Sequence, residues 1–252
     1  MKALLLRLIC IMVVLFPASV YAFGLDIAVG GWRQSPAGEL GYEIQNTNDI
    51  LDLENDLNYE DETRFFGRVD IDMPLFIPNV YIMATPMEFD GNGTKTFNFG
   101  DASISGDFYS KLTLDHYDVA LYYGIPLLET ATFDTLNIDI GLNVRIFDLE
   151  ATVTETSGTG VTETESVTVP IPMVFVALQF RPIEAIAVEA EGRGISISGN
   201  KAYSLIGRLR WNAIGPFFLA GGYRYDKYDI DEEGVIVDAD FSGPFAEVGF
   251  GF

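Results

Sequence analysis

The chain has 252 residues, with 37 acidic side chains against 15 basic ones and a formal net charge of −22. That balance argues against nucleic acid as a partner, because phosphate binding draws on clustered Lys and Arg. Mean hydropathy is nevertheless +0.21, a pairing that suits a protein with one face toward lipid and another toward water.

Lys2 and Arg7 precede an apolar run from Leu8 to Phe16, and Val20 and Ala22 fit the −3 and −1 positions of a signal-peptidase site. Residues 1–22 are therefore expected to be a secretory signal peptide. The run is too short for a spanning helix, which needs ~20 apolar residues. Cys10 is not a lipoprotein cysteine, since Ile9 before it is bulky and the apolar run continues past it. Without this segment, 13 basic residues face 37 acidic ones, for a charge of −24, and no cysteine remains. An exported chain without disulfides needs another source of stability.

Residues 23–252 read as one domain built on alternation. The clearest stretch is Leu136-Asn-Ile-Asp-Ile-Gly-Leu-Asn-Val-Arg-Ile146, aliphatic at every even position and polar or Gly at every odd one. A helix would scatter those polar groups around its circumference, whereas a period of two sorts them onto two faces. Comparable runs cover about 25–33, 64–73, 79–89, 109–124, 165–181, 184–197, 203–212, 217–226 and 246–252, giving ten strands. Short breaks fall at 74–78, 126–134, 181–184 and 213–216, and they take turns with longer polar segments at 34–62, 90–108, 155–164, 198–202 and 230–236. Short and long connections at opposite ends are the asymmetry of outer-membrane barrels.

A soluble sandwich or lipocalin-like barrel would turn the apolar faces inward, and a membrane barrel would turn them toward lipid. The second arrangement is expected for this chain. The polar faces carry many charges and glycines, as suits a narrow lumen, and Tyr203, Trp211, Phe217, Tyr223 and Tyr225 lie near strand ends where aromatic girdles sit. The fold expected is all-β: a closed antiparallel up-and-down transmembrane barrel of about ten strands, with eight or twelve as alternatives.

The stretch Ala246-Glu-Val-Gly-Phe-Gly-Phe252 resembles the C-terminal β-signal of bacterial outer-membrane proteins. Gly31-Trp-Arg-Gln-Ser-Pro-Ala-Gly38 and Pro74-Leu-Phe-Ile-Pro-Asn79 resemble segments of a family of small proteobacterial outer-membrane barrels. The resemblance implies an architecture and a location, the outer membrane of a Gram-negative bacterium, but no activity. It also implies as partners outer-membrane lipid and lipopolysaccharide, and an assembly machinery that reads the strand ending in Phe252. A monomer is expected.

Candidate chemistry is sparse. The lumenal faces are expected to hold Arg64, Arg68, Asp70, Asp72, Asp139, Arg145, Glu189, Glu191, Arg193, Arg208, Arg210, Arg224, Asp226 and Glu247. Glu189 and Glu191 are expected opposite Arg208 and Arg210, and Arg224 opposite Glu247. Charges in a low-dielectric lumen must be paired, so a salt-bridge network plugging the barrel is the main expectation, and a small pore for solutes or apolar compounds is the alternative.

Asp115-His-Tyr-Asp118 holds the only histidine, with His116 and Asp118 on one face. The omptins, ten-stranded outer-membrane proteases, use a His–Asp pair with a carboxylate pair, for which Asp70 and Asp72 would be the counterpart. These two sit toward the Pro74 turn, and His116 is expected nearer the outer end of its strand, too far away. Ser110 is the nearest serine for a lipid-modifying enzyme but has no clear place. No enzymatic activity, cofactor or metal site is expected. The acidic segment 39–62 is expected to be a solvated loop, with divalent cations as the alternative occupant.

Overall fold

The computed structural model describes residues 24–42, 45, 49–74, 76–158, 160–232 and 235–252. The expected signal peptide, 1–22, lies outside them.

The strands are β1 (Gly24–Gly41), β2 (Leu51–Asp52), β3 (Glu62–Asp72), β4 (Asn79–Thr85), β5 (Glu88–Phe99), β6 (Ala102–Gly124), β7 (Leu136–Glu155), β8 (Thr162–Ile183), β9 (Ile186–Ile197), β10 (Asn200–Ile214), β11 (Phe217–Glu232) and β12 (Val235–Gly251). One short helix, α1 (Leu128–Ala131), lies between β6 and β7. Ten strands close an antiparallel ring in chain order, and β2 and β5 lie off it. Closure pairs β12 with β1, from Asp26↔Gly251 through Val29↔Val248 to Gly41↔Ile236. The last backbone bonds are Leu25 N to Phe252 O, 2.8 Å, and Phe252 N to Leu25 O, 3.1 Å. At the level where all ten strands pair, the ring has no open edge and its ladders are satisfied inside the protein, which is the condition for crossing hydrocarbon.

The alternation sets which face is which. Leu142 is 69% exposed while its neighbour Asn143 is 1% exposed. Ile140, Val144, Val174, Val176, Leu205, Leu209 and Leu219 are also exposed. A soluble barrel would bury them. Aromatic side chains ring the exterior as expected: Trp211, Phe217 and Phe252 are exposed near one end, and Tyr203 lies beside Tyr225, ring centroids 5.9 Å apart, toward the other. Leu142→Arg should therefore destabilise the refolded barrel by about 2–4 kcal/mol, the usual penalty for a cation deep in the bilayer. The urea midpoint in lipid vesicles measures it, and an unchanged midpoint would put this face outside hydrocarbon.

Two expectations need correction. The end-to-end asymmetry lies in strand length more than in loops. Segment 90–108 is an extended hairpin of β5 and β6, turning at Gly100-Asp101; β1 runs on to Gly41 and β11 to Glu232. β9 and β10 turn at Ser198-Gly199, both with positive φ (54° and 97°), the pairing that tight hairpins need. Pro86 separates β4 from β5, because a residue without N–H cannot continue the ladder. Both nevertheless pair with β6, β4 with 116–122 and β5 with 102–113.

The acidic segment is the second correction. Leu51, Leu53, Leu57 and Tyr59 are buried, so 49–60 is folded across the barrel mouth between β1 and β5. Leu53 N donates to Gly38 O (2.9 Å), and Lys95 Nζ donates to Ile50 O (2.9 Å) and Asp56 (2.5 Å). An apolar stripe inside the acidic run outweighs its charge.

Candidate functional site: a charged plug beneath an apolar cup

The interior has two storeys. The lower is a chain of buried ion pairs that crosses the lumen. Arg224 Nη2 meets Asp226 at 2.7 Å, and Asp226 meets Arg145 at 3.5 Å. Arg145 and Arg193 share Asp118 at 2.8 and 3.0 Å. Arg193 then meets Glu191 at 2.8 Å, Glu191 meets Arg208 at 2.5 Å, and Arg208 reaches Glu189 at 3.3 Å and Glu247 at 3.9 Å. Glu247 closes the chain on Arg68 at 2.9 Å.

Five guanidiniums and five carboxylates make up this network, all buried. It is neutral as a unit, so the excess acidity of the chain lies elsewhere. Strands without a member still supply support. Trp32 of β1 lies under Arg224, 4.4 Å from its ring centroid, and Phe175 of β8 lies 5.5 Å from Arg193. Beside Arg208, whose Nε has no hydrogen-bond partner among the described residues, a void of about 10 Å³ has the space of one water.

Of the expected lumenal residues, Glu189 and Glu191 do face Arg208, and Arg210 lies 3.9 Å from Glu189. The principal partner of Arg210 is Asp26, across the lumen near the short-turn end. The expected pairing of Arg224 with Glu247 does not form. Glu247 stands opposite Ala220 in the ladder, four residues from Arg224. Arg224 turns instead to Asp226, to Thr85 Oγ1 (2.9 Å) and to His116 Nε2 (2.8 Å). Asp70 accepts from the Tyr122 hydroxyl (2.6 Å). Arg64 lies at the rim with Glu88, 3.3 Å away, and Asp139 accepts from Asn137 (3.1 Å).

His116 is not near the outer end of its strand. β6 runs from Ala102 to Gly124, and His116 sits past its middle, opposite Thr85. It shares the lumenal face with Asp118, as expected, yet its nearest carboxylate is Asp226 at 3.8 Å. The side chain is fully buried. Its Nδ1 lies 3.1 Å from Leu114 O and its Nε2 faces Arg224. Both ring nitrogens are occupied by protein groups, an arrangement of a structural histidine.

The upper storey is apolar. Phe147 and Tyr228 meet edge to face at 5.1 Å and form its floor. Tyr228 accepts a hydrogen bond from Arg145 Nη1 (2.7 Å), so the same ring roofs the network. Above it lies a cavity of about 140 Å³ with aliphatic and aromatic walls. Sequence reasoning missed it, because the residues that make it come from six different strands.

The segment across the mouth uses its acids locally. Asp52 Oδ1 accepts from the backbone N–H groups of Glu54 and Asn55 (2.9 and 2.7 Å), and Asp49 Oδ1 from that of Asn98 (2.8 Å). No cluster of carboxylates suited to a metal is present among the described residues. Partial burial pushes the Asp56 carboxyl up, but the Lys95 ammonium and the Asp52 N–H outweigh it and hold it below the ordinary 3.8. A lowered folded-state pKa gives stability above the ordinary value that is lost as the pH falls through the folded one. Amide protection of 51–59, corrected for intrinsic exchange, should therefore drop below about pH 4, and Asp56→Asn should abolish that step. A pH-independent protection would mean the Lys95 contact does not hold the segment.

No protein-family model and no curated protein matches the chain. Among solved structures it is similar to the translocator domain of the autotransporter NalP from Neisseria meningitidis, at 11% identity over 100% of this chain and 95% of that one, with a TM-score of 0.45. It is also similar to Ail, the attachment invasion locus protein of Yersinia pestis, at 10% identity over 92% and 99%, TM-score 0.37. The toluene transporter TodX of Pseudomonas putida matches at 6% identity over 92% and 90%, TM-score 0.28. Similarity this low says nothing about activity. The chain's own geometry, a closed ring with an apolar exterior and a charged interior, makes it an outer-membrane-type β-barrel.

Proposed function

We propose that this barrel is a non-enzymatic structural or interaction protein of the Gram-negative outer membrane, closed to ion flow. One observation carries the reading. The neutral ion-pair network spans the lumen and involves buried side chains from β3, β6, β7, β9, β10, β11 and β12. A hydrated pore would surround such groups with water, whereas Asp118, Arg145 and Asp226 are fully buried. Lipid and lipopolysaccharide meet the apolar belt, and the assembly machinery reads β12 with the Phe252 that follows it, Val248 and Phe252 both standing exposed.

The refolded protein should show no stable conductance steps in a planar bilayer. Stable single-channel openings in the wild-type barrel would overturn the closed reading in favour of a small pore. Turnover of peptide or lipid by the purified protein, lost in His116→Ala, would overturn the non-enzymatic one.

A further inference from the structure

The wall of the barrel has two wedge-shaped gaps above the plug. One lies between β1 and β5, and segment 49–60 fills it. The other lies between β8 and the β9–β10 hairpin. β8 pairs with β9 only as far as Val174↔Gly194, yet it continues against β7 alone to Thr154↔Thr162. The hairpin beside it stops at Ser198-Gly199. β8 carries Pro170 and Pro172 at this point, the residue type found at strand edges because it has no N–H to pair.

The apolar cavity sits behind the second gap. Val167 and Val169, on the inward face of β8, are 50% and 40% exposed, and Ile197 at the lip of the hairpin is 61% exposed. Large aliphatics on the inner face of a barrel normally pack against something. These face an open mouth leading down to Phe147 and Tyr228.

We infer that this cup is a binding site for an uncharged hydrocarbon group of about the size of one aromatic ring, admitted through the gap between β8 and β9. The inference rests on the closed-barrel reading, since the plug forms the cup's floor. Size and lining set the ligand class. The cavity of about 140 Å³ is walled by apolar side chains, and the Tyr228 hydroxyl already accepts from Arg145. An apolar cavity of ~150 Å³ stays dry and takes up benzene. A charged or strongly polar group would find no partner there and would leave its desolvation uncompensated. A free small hydrocarbon and the end of a lipid acyl chain share this chemistry.

The test uses the full barrel refolded in phospholipid nanodiscs with labelled Ile, Leu and Val methyls. Added benzene should shift the Leu114 and Val169 methyl signals saturably, and Ala239→Trp, which places a ring in the cavity, should weaken that response at least tenfold. Val237→Phe serves in its place if Ala239→Trp does not fold. A second arm adds phosphatidylcholine carrying a nitroxide near the end of one acyl chain. Broadening of the same methyls, reversed by benzene, identifies the lipid tail as occupant, while benzene shifts without broadening identify a free hydrocarbon. Neither saturable shift nor broadening, or shifts equal in Ala239→Trp, overturns the inference. Bilayer silence of the wild type would stand in either case, so failure of the cup is distinct from failure of the closed-barrel reading.

Discussion

Asp118→Ala should destabilise the barrel by about 3–5 kcal/mol, the cost of removing one partner from a buried ion pair. The Asp118 carboxylate accepts from Asn143 Nδ2 (2.7 Å), from Arg145 Nε and Nη2 (2.9 and 2.8 Å), and from Arg193 Nη1 (3.0 Å). Truncation leaves two guanidiniums facing each other in a site buried from solvent. Most of the effect is that stranded charge and not the worth of the pairs themselves. Replacing Asp118 and Arg145 together by Leu and Met keeps the network neutral, with Arg193 still on Glu191 and Asp226 still on Arg224, and should therefore recover most of the loss, since an apolar core of similar volume is often as stable as the ions it replaces. The urea midpoint of the refolded proteins measures both. A single variant within about 1 kcal/mol of wild type would mean that water solvates these groups, as surface pairs are solvated, and that the lumen is not sealed.

The contrast between that network and the strands around it shows what a sequence can reveal. Alternation is local: Leu142 and Asn143 differ in hydropathy, and a period of two sends them to opposite faces whatever the rest of the chain does. Ten strands, the outward apolar face and the closure of β12 on β1 follow from it. Partnership inside the lumen is not local. Arg224 misses Glu247 because the β11–β12 register puts Ala220 there, and no property of either residue encodes that offset. The arm at 88–99 did leave a signal, with Phe89, Phe97 and Phe99 in register with the two glycines Gly91 and Gly93, obscured by Asp90, Asn92, Thr94, Thr96 and Asn98 on the solvent face. Segment 49–60 was harder still. Its nonpolar side chains, Leu51, Leu53, Leu57 and Tyr59, sit among carboxylates, and they are buried only once the distant strands β1 and β5 flank them.

Strand β5 supplies the second large effect. Gly91→Val should drive segment 51–59 off the mouth while leaving the barrel closed to ions. A Cβ at Gly91 would lie 2.1 Å from Leu57 O and 3.0 Å from Asn58 O. These are backbone atoms, so no change of rotamer relieves the overlap and one of the two chains must move. β5 is held to β6 at every residue from Glu88 to Phe99. The segment is held by fewer backbone bonds, by the Lys95 contacts and by burial of Leu51, Leu53, Leu57 and Tyr59. Burial at about 1.5–3 kcal/mol for each large side chain makes that docking firm in the wild type, so proteolysis between Leu53 and Tyr59 should be slow until the overlap is introduced. Loss of even ~1.4 kcal/mol of docking raises the open population tenfold, and cleavage should rise at least that much. Asp90→Val, on the outward face of the same strand, should leave cleavage unchanged. Conductance of Gly91→Val should stay silent, because the ion-pair network lies beneath the segment and is untouched. Resistance equal to wild type would mean that the segment does not rest on β5. Ion flow through the variant would place the seal in segment 51–59 and strip Asp118, Arg145 and their partners of any sealing role.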